Sequence, residues 1–286
     1  MKQFIILLTI LPSMALAQAG SEIFLFDVRV KNGQMILTNP VNATNHPGYD
    51  NQPSFDPNQP VVYYSSFNDE GRADIKSFNY ETEKTNFITM TNEREYSPTV
   101  TPDGRYLSCI IQRDNDAQDL GKYPREGGEA ITLIDNLIVG YHAWIDSDNL
   151  LLFVLGEPAT LRWYNLATKT DKVLAENIGR SLHKIPGENA MSFVLKKGDG
   201  EWVISRLDVA TQVITPIVNS LPGREDMTWT RNGSIIMSDG EKIFMLNTKK
   251  EKSWREIKVE ASQAFQGITR LALGAGGKKM AIVVSE

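Results

Sequence analysis

The chain has a single cysteine, Cys109, so no intrachain disulfide can form, and its place in the apolar run YLSCII at 106–111 marks it as a buried thiol rather than a nucleophile. The apolar stretch at 4–11 holds only eight apolar or near-apolar residues, too few to cross a bilayer. The three histidines, His46, His142 and His183, lie far apart with no short metal-ligand spacing, so no metal or other cofactor is expected. A serine-hydrolase elbow is missing too: Ser181 in GRSLH is followed by Leu182 and His183 where the strained turn needs a glycine. The acidic cluster of Asp114, Asn115, Asp116 and Asp119 lacks the glycine and terminal glutamate of a calcium loop and reads as a solvated loop. GAGGKK at 274–279 lacks the spacing and the hydroxyl residue of a phosphate loop and falls at a hairpin turn. No catalytic motif remains, and the expectation leans away from an enzyme.

The first seventeen residues, with Lys2, the apolar run and the small residues Ala15 and Ala17, have the form of a secretory signal peptide cleaved after Ala17. No cysteine follows that site to carry a lipid anchor. The expected product is a soluble monomer at 18–286, periplasmic or secreted, without membrane insertion. Losing Lys2 takes the formal charge from -5 to -6, which argues against nucleic acid as a partner.

What the chain does have is a repeat. Related segments begin at Asp50, Arg94, Val139, Ile178, Gly223 and Gly267, and aligning Phe55, Val100, Trp144, Lys184, Trp229 and Leu273 gives steps of 45, 44, 40, 45 and 44 residues. A period near 44 belongs to propeller blades. Hairpin turns such as Thr101-Pro102-Asp103-Gly104 and Thr230-Arg231-Asn232-Gly233 separate the first two strands of a repeat. Asx residues (Asn79, Asn165, Asp208 and Asn247) open the turn into the fourth. The last repeat stops after two strands, and IFLFDVRVKNGQMIL from Ile23 supplies the other half, with Asp27 at the Asx place. The sequence therefore predicts an all-β, six-bladed propeller of four-stranded blades, a single domain over 18–286, closed by N- and C-terminal strands sharing one blade. Trp144 and Trp229, at one phase of the repeat, are expected to pack between blades.

The segments PSFDPNQPVVYYSS and SPTVTPDGRYL resemble the repeats of the TolB-like six-bladed propeller family, and the resemblance extends over the mature chain, with repeats three, four and six keeping only the spacing. It implies the propeller fold and leaves function open, since that family includes periplasmic scaffolds and the propeller halves of serine peptidases. TolB itself carries a further N-terminal domain ahead of its propeller, which is expected to be absent here, so its partners do not transfer.

In such a blade the residues ahead of strand one and the loop between strands two and three share the channel-mouth face. At the equivalent places the six repeats offer dissimilar groups, and Tyr96, Tyr141, His142, Arg180, Glu225, Asp226 and Arg270 are the candidate ligand-binding residues. Acidic residues in the two-to-three loops, including Asp69, Glu70, Asp114, Asp116, Glu157, Asp199, Glu201, Asp239 and Glu241, predict a mildly acidic rim favouring cationic or hydroxyl-rich partners. The leading expectation is a noncatalytic exported propeller that binds a protein, peptide or glycan. The alternatives are a metal-dependent lactonase, lyase or hydrolase using rim carboxylates and His142, and a structural subunit of an envelope assembly.

Overall fold

A computed structural model describes residues 20–198, 200–251 and 253–285; the expected signal peptide and Asp199 lie outside the described residues. Every regular element among these residues is a strand, and the strands form six sheets arranged as the blades of a propeller. Blades 1 to 5 span 50–87, 94–134, 139–176, 183–219 and 227–256, each an antiparallel four-stranded sheet. Each of the six residues used to align the repeats is the last residue of its blade's innermost strand: Asp50–Phe55, Arg94–Val100, Val139–Trp144, His183–Lys184, Met227–Trp229 and Ile268–Leu273.

Burial peaks in the middle strands of a blade and is lowest in the outermost, and this explains the composition of each strand. The second strands, such as Val61–Phe67 and Tyr106–Gln112, are covered on both faces by neighbouring blades and are almost continuously buried. The outermost strand Lys84–Phe87 is fully exposed. The core lies between blades: Ile110 and Leu120 pack on Leu150, Leu152 and Tyr164, and Leu151 and Leu161 on Met191, Phe193 and Leu207. Cys109 belongs to the seam between blades 1 and 2, where burial first, and the charge of Glu95 second, push its thiol well above the ordinary range. The two tryptophans reach back one blade each. Trp144 Nε1 donates to Ser108 Oγ and Trp229 Nε1 to Ser192 Oγ, both at 2.9 Å, so each indole fills an inter-blade seam and satisfies a buried hydroxyl.

Blade 6 is made from both chain ends. The N-terminal strand Ser21–Lys31 pairs with the C-terminal strand Lys279–Ser285 along seven positions, from Ser21 opposite Ser285 to Asp27 opposite Lys279. Ile23 and Leu25 pack with Ala281 and Val283 against Val62 and Tyr64 of blade 1, while Phe26 and Leu37 pack with Ile282 against Ile236 and Ile243 of blade 5. Closure thus seals two seams at once.

The blade turns follow the sequence expectation. Gly104 and Gly233 hold φ of +71° and +79° at the ends of their Thr-initiated turns, and Asn79, Asn165, Asp208 and Asn247 accept backbone N–H bonds from residues two or three further on. Asp27 differs. It lies within its strand, where its carboxylate meets Lys279 Nζ at 2.7 Å and Asn39 Nδ2 at 2.8 Å, and the chain turns instead at Asn32-Gly33, both at positive φ. Blade 6 also gains a fifth strand that the sequence did not announce. Lys258–Val259 runs parallel to Gln34–Asn42, and Glu260 N donates to Leu37 O at 2.7 Å, which covers the outer edge of the closing blade.

Candidate functional site

The predicted mouth face is formed as the blade geometry requires. Residues at the start of an inner strand hydrogen-bond to the end of the second strand of the same blade, as in Phe67 N to Tyr49 O and Leu155 N to Ile138 O, or of the blade before it, as in Ile268 N to Gly240 O. Inside the ring the inner strands enclose a cavity of about 520 Å³. Its two ends differ. Near the strand starts the wall carries Gln52, Ser97, Tyr141, Arg180, Asp226 and Arg270; towards the strand ends it carries Phe55, Val100, Trp144, Lys184 and Leu273. The wall is therefore polar at the mouth and largely apolar at the far end.

Backbone bulges aim the mouth residues. Register slips interrupt the inner strands at Asn51/Ser54, Tyr96/Thr99, Val139/Tyr141 and Ile268/Arg270. Gln52 and Ser97 stand at φ of +58° and +56° within two of these bulges, each ahead of a proline. Such a conformation costs a non-glycine residue on the order of 1–3 kcal/mol, so surrounding contacts must hold it. Here Gln52 Oε1 accepts from Ser97 N at 2.7 Å and from Ser65 Oγ at 3.0 Å, tying blade 1 to blade 2 at the mouth.

Across from these residues a charged chain bridges four blades. Arg180 of the loop entering blade 4 holds Asp226 of blade 5 with two bonds, Nε to Oδ1 at 3.2 Å and Nη2 to Oδ2 at 2.6 Å. Arg270 of blade 6 lies 3.5 Å from the same Oδ1 and donates through Nη2 to the Tyr141 hydroxyl of blade 3 at 2.7 Å. Blades 3 and 6 face each other in a six-fold ring, so this contact, between residues 129 positions apart, crosses the channel. Burial opposes the charge of Arg180, but the bonds and attraction of Asp226 outweigh it and keep its pKa above the ordinary arginine range.

The two channel histidines are neutral supports. Burial lowers His142 to about 4; it is 8 % exposed, and its Nε2 lies 2.7 Å from Ser108 Oγ. Ser108 also receives Trp144 Nε1 and donates to Thr99 O at 3.1 Å, so its one proton is committed and His142 must donate through Nε2. His183 is likewise lowered to about 4, by burial first, with Asp226 and the Met227 carbonyl working against the shift. Ser181 Oγ meets His183 Nε2 at 2.9 Å and accepts from Met227 N at 3.1 Å, which makes Ser181 a tie between blades 4 and 5.

Of the seven sequence candidates, Tyr141, His142, Arg180, Asp226 and Arg270 line the cavity. Tyr96 packs its ring against the blade 2–3 seam of Ile110, Val139 and Leu150, its pKa raised by burial. Glu225 faces a separate hollow of about 140 Å³ beside the mouth, where it accepts from Arg180 N and pairs with Lys196 at 2.9 Å. Gln52, Ser97 and Lys184 join the wall, and the alternation of dissimilar residues ahead of Pro53 and Pro98 was the available signal for the first two.

The acidic-rim expectation needs correction at the channel itself. Arg180, Lys184 and Arg270 stand against Asp226 alone on the wall, an excess of two positive charges in a chain of formal charge -5. The loop carboxylates are absent from the cavity wall; of them Asp114 is held by Arg72 and Arg94, and beside it Arg113 pairs with Glu93 and Asp119. Among the described residues no three His, Cys, Asp or Glu side chains converge to hold a metal ion.

No family model matches the chain, and no curated protein does. Solved structures do. A TolB candidate from Agrobacterium tumefaciens superposes with a TM-score of 0.72 at 12% identity, covering 94% of this chain and 99% of that one. TolB from Acinetobacter baumannii gives 0.58 at 12% identity, over 93% of this chain and 64% of its own. An oligogalacturonate lyase in complex with manganese gives 0.60 at 12% identity, over 95% and 99%. At these identities the likeness is one of fold, and the fold is that of a TolB-like six-bladed β-propeller.

Proposed function

We propose that the protein is an exported, noncatalytic propeller that captures a protein, peptide or glycan partner at its channel-mouth face in the periplasm or outside the cell. The observation that carries this reading is the convergence of Tyr141, Arg180, Asp226 and Arg270 from four blades on one bridged, partly buried mouth above a 520 Å³ cavity. That volume falls within the range of about 300–1,000 Å³ usual for ligand pockets. Tyr141 and Arg270 stand on inner strands and Arg180 and Asp226 on the segments that lead into them, so the ring fixes all four at the mouth, which is the arrangement expected of recognition residues. Export rests on the leader-like residues 1–17. The lyase reading draws on the manganese-bound oligogalacturonate lyase, but the donor set that such a metal needs is lacking among the described residues, so no metal-dependent step is derived.

The test is the double substitution Arg180→Ala with Asp226→Ala, which removes the bidentate pair together and leaves Arg270 its bond to the Tyr141 hydroxyl. Capture of cross-linked partners from envelope extract is expected to drop at least tenfold, with the melting temperature within a few degrees of the parent. Asn165→Ala is the converse control. Its Oδ1 accepts from Thr168 N at 2.9 Å in the Asx turn, and its loss should cost about 1 kcal/mol while sparing capture. Unchanged partners with the double variant would move the search to the outer blade edges.

A further inference from the structure

The hydrogen-bonding character of the channel wall narrows the ligand, on the assumption that the partner-binding reading holds. Arg270 is 15 % exposed in its side chain and carries five N–H groups, of which one meets a good acceptor, the Tyr141 hydroxyl; Asp226 at 3.5 Å is an ion-pair contact. The residue lines the cavity. Gln52 is oriented by the two donors that meet its Oε1, so its Nε2 is free of any acceptor among the described residues. Lys184 Nζ makes one long contact, 3.4 Å to Ile145 O. The strongest acceptors on the wall are engaged, Asp226 by two arginines and Gln52 Oε1 by Ser97 and Ser65, while Ser97 Oγ and His142 Nδ1 are buried without a partner. The wall thus offers spare donors and one surplus positive charge at the mouth, where Arg180 and Arg270 stand against Asp226, and Phe55, Val100, Trp144 and Leu273 with Lys184 at the other end.

We infer that the channel takes a peptide segment bearing a carboxylate beside an apolar side chain, the acid group meeting Arg270 and Gln52 and the apolar group lying towards Phe55, Trp144 and Leu273. A carboxylate is acceptor-only and anionic, so it satisfies both the spare donors and the unbalanced charge. A neutral glycan fits less well, because its hydroxyls leave the surplus positive charge of the mouth unpaired. The carboxylate can come from a chain end or from an aspartate or glutamate side chain, and the recognition chemistry is the same.

Three pools of N-acetylated hexapeptides separate these sources when selected on the immobilised protein: one with free C-termini and no acidic side chains, the same pool amidated, and an amidated pool with one aspartate. The free-acid or the aspartate pool should be enriched at least tenfold over the neutral amidated pool, and which of them is enriched identifies the source. The Kd of the best peptide should rise at least tenfold in Arg270→Gln, rise less in Arg270→Lys, and stay unchanged in Phe87→Ala on the outer face. Circular dichroism melting confirms that each variant is folded. Equal enrichment across the pools, no enrichment from any, or a Kd indifferent to Arg270→Gln overturns the inference, as does Arg270-dependent binding of trigalacturonate alone. If the pools fail while the Arg180/Asp226 double variant still loses its partner, the carboxylate inference falls and the mouth site stands. If that double variant keeps its partner, the site itself falls.

Discussion

Substituting Phe26 by alanine tests whether closure by the two chain ends holds the ring together. Phe26 is fully buried on the N-terminal strand, and its ring meets Phe265 edge-on with centroids 5.2 Å apart, in a cluster with Leu37, Ile236, Ile243 and Ile282. That cluster joins strands from the N-terminus, blade 5 and the C-terminus, so a void there loosens the closing blade and its neighbour together. Truncating a buried phenylalanine costs roughly 3–5 kcal/mol. For a domain of this size each kcal/mol shifts the melting temperature by about 2–4 °C, so the fall should be roughly 6–20 °C. Differential scanning calorimetry of Phe26→Ala beside Phe87→Ala makes the comparison, since Phe87 is 52 % exposed on an outermost strand and its truncation should stay within about 0.5 kcal/mol. Deleting 23–37 should go further and abolish the cooperative transition by exposing the edges of blade 6. The reasoning is refuted if the two point variants melt alike, or if the deletion variant melts as sharply and as high as the parent.

The architecture was legible because every blade must solve the same problem with the same parts. A hairpin glycine at positive φ, an Asx turn and a doubly covered second strand recur at one phase, and local chemistry suffices to read them. Where that chemistry was misread, a competing local signal was present. Asp27 is an Asx residue in the right neighbourhood, but Asn32-Gly33 is the stronger turn dipeptide, and the strand runs on to it while Asp27 pairs with Lys279. The strand Lys258–Val259 has no alternation to announce it, being only two residues long and placed by the edge it covers. The site was legible only as a set of places. Blade geometry put Tyr96 on the mouth, as a residue ahead of strand one, yet the bulge between Tyr96 and Thr99 turns Ser97 to the cavity and leaves Tyr96 in the seam. The bond between Arg270 and Tyr141 joins residues 129 apart and has no signature in sequence. The sign of the channel charge was missed for a related reason: the sequence shows which charges the loops carry, but not that the wall itself is lined by Arg180, Lys184 and Arg270 against Asp226.

Two further outcomes are expected. Mass spectrometry of the exported protein should find a chain beginning near Gln18, and an intact Met1 or recovery only in detergent would refute the signal-peptide reading. The pH dependence of stability should contain two opposed contributions that substitutions separate. His142 has its folded pKa lowered to about 4 by burial, so the unfolded chain binds its proton more readily; stability is full above about pH 6.5 and falls towards pH 4, by at most about 3 kcal/mol. Glu95 and Asp74 are the reverse case. Burial is the largest influence on each and raises both, although Thr91 Oγ1 at 2.6 Å and Tyr123 OH at 2.9 Å donate to Glu95. Their folded forms therefore hold protons more tightly than the unfolded chain, and stability is greatest below the ordinary carboxylate range and is lost as pH rises through their folded values. Urea unfolding between pH 4 and 8 distinguishes the two. His142→Asn should flatten the fall on the acid side, while Glu95→Gln, which fixes the neutral form, should gain on the parent as pH rises and match it most closely at pH 4. A constant offset across the range for either variant would mean that the burial of that group is not what sets its proton affinity.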